Sequence, residues 1–254
     1  MKSIKVTDVE NTKSYTFLND VEDGCVINAI KGFEYPQSIV IVEDIASDDG
    51  AIAISSKFGR RVCSFIANLN ADILNQRHLI LDALRQTSYL KKIEFTTLDD
   101  IALQFYAYVT KFSGDYKTYA NQLLVELTAP DFRFYSQTET SVEIAANGSE
   151  NCENTGNENT NPTITIDGPA ATVNMSDSTT GFEFDIVEAI ADGEQLVIDM
   201  KEKTVKLDGV DSFSMFDGDF FKLEPGDNSI DFVTTGGDAG TKATIKYRNA
   251  YNGA

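Results

Sequence analysis

Tryptophan is absent from this chain, histidine occurs once, and cysteine three times. Without tryptophan the usual stacking surface for sugars is missing. That weighs against a glycosidase, although the carboxylates such an enzyme needs are abundant. A single histidine, His78, leaves no His cluster for zinc or iron. It could act as the base of a triad only if a nucleophile and an acid converged on it, and no GxSxG elbow or active-site cysteine motif supports that. Cys25, Cys63 and Cys152 are odd in number, far apart, and form no CxxC pair. Neither a disulfide framework nor a zinc site is expected, and a reducing cytoplasm is the simplest context of synthesis. No aliphatic run approaches the ~20 residues that cross a bilayer; the longest are 39–42 and 51–54. The segment 1–8 has no apolar core, so no secretory signal and no membrane partner are expected.

Positive charge is also scarce. There are 21 Lys+Arg against 40 Asp+Glu, a formal charge of −19 and a pI near 4.3. Adhesion to nucleic-acid backbones or anionic membranes is disfavoured. Lys57, Arg60 and Arg61 form the one basic cluster, too small for a nucleic-acid footprint but able to meet acidic groups on a neighbouring subunit. Two glycine- or aspartate-rich stretches fail as ligand sites. Gly236-Gly237-Asp238-Ala239-Gly240 has no helix start behind it to cradle phosphate and reads as a hairpin loop. Asp217-Gly218-Asp219 resembles a fragment of a calcium loop, but Phe220 and Phe221 break the ligand spacing. No catalytic residue, metal or cofactor is expected.

What is present is β pattern in two unequal halves. Residues 1–146 carry 14 Lys+Arg against 20 Asp+Glu, and residues 147–254 carry 7 against 20. Between them, 147–162 is dense in Asn, Glu, Thr and Gly without apolar periodicity, and reads as a linker. The expected domains are therefore 1–146 and 163–254. In the first, 39–42 and 52–54 read as strands around a turn, and 61–67 alternates. The period then changes: Ile73, Arg77, Ile80, Leu81 and Leu84 share one face of a helix over about 70–84, with Asn70 or Asp72 as its cap. Period two returns at 93–95, 101–109 and 119–128. A strand meander crossed by one helix predicts a small, partly open barrel or folded sheet with the helix plugging one end. In the second half, strands at 163–166, 172–174, 182–186, 195–200, 204–207, 220–223, 229–233 and 243–247 are separated by tight turn signals. They predict an antiparallel sandwich. Phe220 to Leu223 and Ser229 to Val233 flank Pro225-Gly226-Asp227-Asn228, a hairpin signature.

Six segments, in order, resemble the distal tail (Dit) protein family of long-tailed, non-contractile phages. They are Gly59-Arg60-Arg61-Val62-Cys63-Ser64-Phe65 with the helix after it; 124–135, a strand leaving on Asp131 before aromatic residues; 161–169; 193–200 with Val205, Leu207, Asp208 and Gly209 behind it; the Pro-Gly-Asp-Asn turn; and 245–253. The likeness runs from about residue 50 to the end.

The resemblance implies a mainly β protein with one helix: an N-terminal split-barrel-like domain and a C-terminal galectin-like sandwich. It implies a structural virion protein at the siphovirus tail tip, made in the host cytoplasm, and not an enzyme. Family members form a homo-hexameric ring between the tail tube and the baseplate hub protein, pass DNA through its channel, and can carry receptor-binding proteins outside. Lys57, Arg60, Arg61 and Arg77 are the expected ring-interface residues. The alternative is a carbohydrate-binding adsorption module with Phe213, Phe216 and Phe220 as its platform, although core packing explains these residues at least as well and is the favoured reading. A peptidoglycan-directed hydrolase is a third reading.

Overall fold

The computed structural model describes every residue except 11, 20–24, 47–48, 70–76, 86–88 and 116–121, and the side chains of Cys25, Arg77 and Asp115. The chain divides into two compact units, 1–137 with the terminal residues 252–254, and 138–251.

The first unit contains β1 (Ser3–Asp8), β2 (Ser14–Leu18), β3 (Cys25–Lys31), β4 (Ser38–Asp44), β5 (Ala51–Phe58), β6 (Arg61–Leu69), α1 (Arg77–Ala83), β7 (Lys91–Thr96), β8 (Ala102–Asp115), β9 (Gln122–Ala129) and β10 (Phe134–Ser136). Its main sheet runs β2-β1-β7-β8-β9-β6-β3, antiparallel throughout, and β10 also pairs with β8. The end strands β2 and β3 lie beside each other, so the sheet curls almost to closure. Helix α1 packs against β1 and β2 and buries Ile80 and Ala83 there, with Leu84 just past its end. Leu81, expected on the buried face, is 38% exposed. Ile73 and both candidate caps lie outside the described residues.

Alternation explains the core of this unit. Ile4, Val6 and Asp8 point inward from β1, as do Arg61, Cys63, Phe65 and Ala67 from β6, and Lys91, Ile93 and Phe95 from β7. Phe33, Phe95, Phe105 and Phe134 meet with ring centroids 5.0–6.0 Å apart, mostly edge to face. Asp8 and Lys91, opposite each other in register, close into a buried ion pair of 2.6 Å.

The second unit is a sandwich of two antiparallel sheets. One runs β11 (Thr140–Ala145), β21 (Lys242–Tyr247), β13 (Thr163–Asp167), β16 (Gln195–Asp199), β17 (Thr204–Leu207), β18 (Val210–Asp211). The other runs β12 (Gly148–Asn151), β20 (Ser229–Thr235), β14 (Thr172–Asp177), β15 (Phe182–Ile186), β19 (Phe216–Gly218). Inward residues of both sheets, among them Ile164, Ile198 and Ile245 from one and Met175, Phe184 and Phe232 from the other, form one core. Turn chemistry sets the register. Asp199 Oδ1 accepts the Lys201 and Glu202 amides at 2.8 and 2.9 Å, and Asp208-Gly209, both at positive φ, turns β17 into β18.

Three expectations are corrected. Residues 147–162 are not a linker: 148–151 are strand β12, and Asn154 and Thr160 bridge to Gly226 and Leu223. Buried side chains compensate for the missing apolar ones. Asn154, fully buried, donates Nδ2 to Glu158 O and accepts the Gly156 amide, and Thr160 donates to Arg248 O. The Pro-Gly-Asp-Asn segment is not a hairpin, because 220–223 forms no strand and pairs instead toward Asn154 and Thr160. Its geometry comes from Asn228, fully buried, which donates Nδ2 to the carbonyls of Cys152, Glu224 and Gly226 and accepts the Glu224 amide. Finally, the 236–240 loop carries the chain from one sheet to the other, since β20 and β21 belong to different sheets.

Candidate assembly surface

Among the described residues, strands β4 and β5 pair only with each other. Every residue of both is exposed. Ile39, Val40, Ile41, Val42, Ile52, Ile54 and Phe58 stand between 42% and 62% exposed, on both faces of the ribbon. A two-stranded ribbon is marginal in water by itself, and an exposed apolar patch of this kind marks an interaction site. Its sequence still dictates a strand pair. The β-branched residues favour extended backbone, Ser38 and Ser56 hydroxyls meet at 3.2 Å, and a bulge between Ile41 and Val42 twists the ribbon. The Gly59 amide on Gln37 O at 3.0 Å closes the base of the ribbon, and Phe58 against Phe132 at 4.8 Å packs that base on the first unit.

The predicted interface residues separate on inspection. Lys57 and Arg60 are exposed at the ribbon's base. Arg77 begins α1, and its side chain lies outside the described residues. Arg61 is 1% exposed and cannot present charge to a neighbour. Its guanidinium donates Nε to Phe132 O at 2.6 Å, Nη1 to Gly32 O and Glu34 O at 2.8 and 3.0 Å, and Nη2 to Asn252 O at 2.7 Å. It also sits 4.0 Å over the Phe134 ring. Burial pulls its pKa down, with Cys63 and Asp131 opposing; a guanidinium keeps its proton regardless. Arg61 is thus a clasp for backbone segments of its own unit.

Beside α1 lies a cleft of about 420 Å³ lined by Leu81, Asp82, Leu84, Arg85 and Phe112. Leu79 and Leu81 are exposed on the helix next to it. Asp82 pairs with Lys13 at 2.8 Å. The Lys13 hydrogen bond and charge hold the Asp82 carboxyl below its usual range, and His78 and Arg85 stand close enough to pull the same way. Among the described lining residues the charges of Asp82 and Arg85 balance, and Lys13 adds one positive charge beside Asp82.

On the second unit, Phe213, Phe216 and Phe220 stack with centroids 4.5–6.3 Å apart. Phe216 is buried and Phe220 packs on the core, leaving Phe213 as the exposed ring. Asp217, opposite Asp185 in register, faces solvent. Among the described residues no group of His, Cys, Asp and Glu is arranged to hold a metal ion. His78 is exposed on α1. Sequence reasoning missed the cleft, whose walls come from separate segments of the chain, and it placed Leu81 on the wrong face.

Comparison with known proteins supplies the class. Residues 155–251 match the family model described as siphovirus-type tail component, C-terminal domain. Among solved structures, the Dit protein of phage SPP1, described as a paradigm of the hub adsorption apparatus in phages infecting Gram-positive bacteria, superposes with a TM-score of 0.71 at 15% identity. The match covers 97% of this chain and 98% of that one. Two structures of the phage P2 baseplate in its activated conformation, with Ca and with Sr, give TM-scores of 0.48 and 0.44 at 8% and 10% identity. Each covers 96% of this chain and 97% of the other. No curated protein matches the chain. The second unit is a siphovirus-type tail component, and the whole chain has the fold of the SPP1 protein. The family match over residues 155–251 and the shared fold together support assignment to the distal tail (Dit) proteins of phage tails.

Proposed function

We propose that the chain closes into a hexameric ring at the tail tip, joining the tail tube to the baseplate hub and adsorption apparatus and letting DNA pass through its centre. The observation that carries this reading is the β4–β5 ribbon, whose apolar residues are exposed on both faces and need a protein cover. A projecting ribbon is a one-sided device. The surface that receives it differs from the ribbon itself, so the contact is heterologous and repeats by rotation until a ring closes. Lys57 and Arg60 at the ribbon base and Arg77 on α1 belong to this contact in the proposal, and Arg61 does not. The formal charge of −19 suits a channel through which a polyanion must slide without adhering. The tail tube protein and the hub protein bind the two ring faces, and the second unit is the part that meets receptor-binding proteins.

Native mass spectrometry with negative-stain images of the same sample tests the reading. Six-subunit particles with an open centre support it. A chain that stays monomeric, alone and with tail tube and hub proteins added, sinks it. The second reading, a sugar-binding adsorption module, rests on the exposed Phe213 ring. A glycan array on wild type and Phe213→Ala decides it.

A further inference from the structure

The geometry points to the receiving half of the ring contact: the cleft between α1 and β8, lined by Leu81, Asp82, Leu84, Arg85 and Phe112, takes the tip of the β4–β5 ribbon from a second copy of this chain. The inference rests on the ring reading and adds the residues that meet. Two complementarities carry it. The first is apolar. The ribbon offers Ile41, Val42, Ile52 and Ile54 uncovered, and the cleft offers Leu81, Leu84 and Phe112 in a hollow of about 420 Å³, with Leu79 exposed beside it. The second is charge. The ribbon tip carries Glu43, Asp44 and Asp49, all exposed, and residues 43–56 contain no Lys or Arg. Among the described lining residues the one carboxylate, Asp82, is already matched by Lys13 at 2.8 Å. Arg85, just past the end of α1, is exposed and forms no ion pair within 4.0 Å among the described residues, although its charge also acts on Asp82, and His78 is exposed on the helix. An acidic-tipped apolar ribbon and an apolar cleft edged by Arg85 are the two unlike halves that a closed rotational assembly requires.

The ribbon also cannot be filling the cleft of its own chain, since all its residues are exposed. A second copy of the chain is thus the occupant whose charge and polarity fit the cleft.

Charge exchange tests the pairing. The variants are Arg85→Glu, the pair Glu43→Lys with Asp44→Lys, and all three together, each checked for native folding by circular dichroism. Assembly is followed by mass photometry across subunit concentration. Either reversal alone is expected to raise the concentration for half-assembly at least tenfold, and the triple variant to recover most of that loss. Rings that form as readily with Arg85→Glu as in wild type, or a triple variant no better than its parents, overturn the cleft as the receiving site and leave the ring reading standing. A wild-type chain that never assembles, alone or with tail tube and hub proteins added, overturns both.

Discussion

Replacing Arg61 with methionine isolates what a buried cation does for this fold. The side chain keeps its length and loses the guanidinium, leaving the carbonyls of Gly32, Glu34, Phe132 and Asn252 without the donors they face at 2.6–3.0 Å. A hydrogen bond to a charged group contributes about 1.5–3 kcal/mol, so four give a gross loss of roughly 6–12 kcal/mol. Water entry and the removed desolvation cost of the cation offset much of this, and the expected net is about 3–5 kcal/mol. Arg61→Lys keeps the charge but concentrates its donors on one atom, which cannot span four carbonyls, so roughly half the loss is expected. Arg60→Met, at an exposed neighbour, should stay within about 0.5 kcal/mol of wild type. Urea unfolding followed by circular dichroism gives the magnitudes, and hydrogen exchange locates them. Amides near 32–34 and 252–254 should lose protection first, because Ala254 N on Phe33 O and Gly253 packed over Glu34 depend on the same clasp. Stability of Arg61→Met within about 0.5 kcal/mol of wild type, or lost assembly with stability intact, would refute the structural role and return Arg61 to the interface.

Asn228→Ala removes a side chain making four hydrogen bonds and should cost about 2–4 kcal/mol. Asn228→Asp turns a carboxylate oxygen toward three carbonyls, so in thermal melts it should be the worse variant at neutral pH and partly recover in acid. Lys91→Met leaves the buried Asp8 carboxylate without its cation, with an expected loss of about 3–5 kcal/mol by denaturant titration, while Lys92→Met at the partly exposed neighbour stays near wild type. The Cys63 and Cys152 thiols are pushed up from 9.0 to about 12, chiefly by burial. Both should be silent to an aromatic disulfide reagent at pH 8 in the native protein and react on unfolding. The folded chain then holds protons that the unfolded chain releases above pH 9, so their contribution is complete below pH 9 and declines as pH rises toward 12. A stability that increases across that window would contradict the burial.

Much of the strand pattern was legible, because inward and outward positions alternate strictly in β6, β7, β9, β13 and β16. The same alternation held information that charge obscured. Arg61 is in phase with Cys63, Phe65 and Ala67, and Lys91 with Ile93 and Phe95, so both were marked as inward by period alone. Residues 147–162 misled because polar side chains, Asn154 and Thr160, do there what apolar ones do elsewhere: they satisfy buried backbone. The Pro-Gly-Asp-Asn turn misled in the same way, since Asn228 bonds a segment some 70 residues earlier in the chain, beyond the reach of any local turn rule. The ribbon's strands were legible and its isolation was not, because pairing partners are a property of the sheet and not of the strand. The cleft was invisible for a related reason. Its walls come from α1 and β8, and only their packing makes a hollow.

The central claim is that the ribbon makes the ring. Its two ends are held side by side, Ser38 opposite Phe58 and Ile39 opposite Lys57, so residues 40–56 can be replaced by a two-residue Asn-Gly turn without moving the base. The decisive measurement is the assembled mass of the intact and shortened chains over a range of concentrations. The expected result is six-subunit particles from the intact chain and folded monomers from the shortened one. Rings of the same mass from the shortened chain would contradict the account.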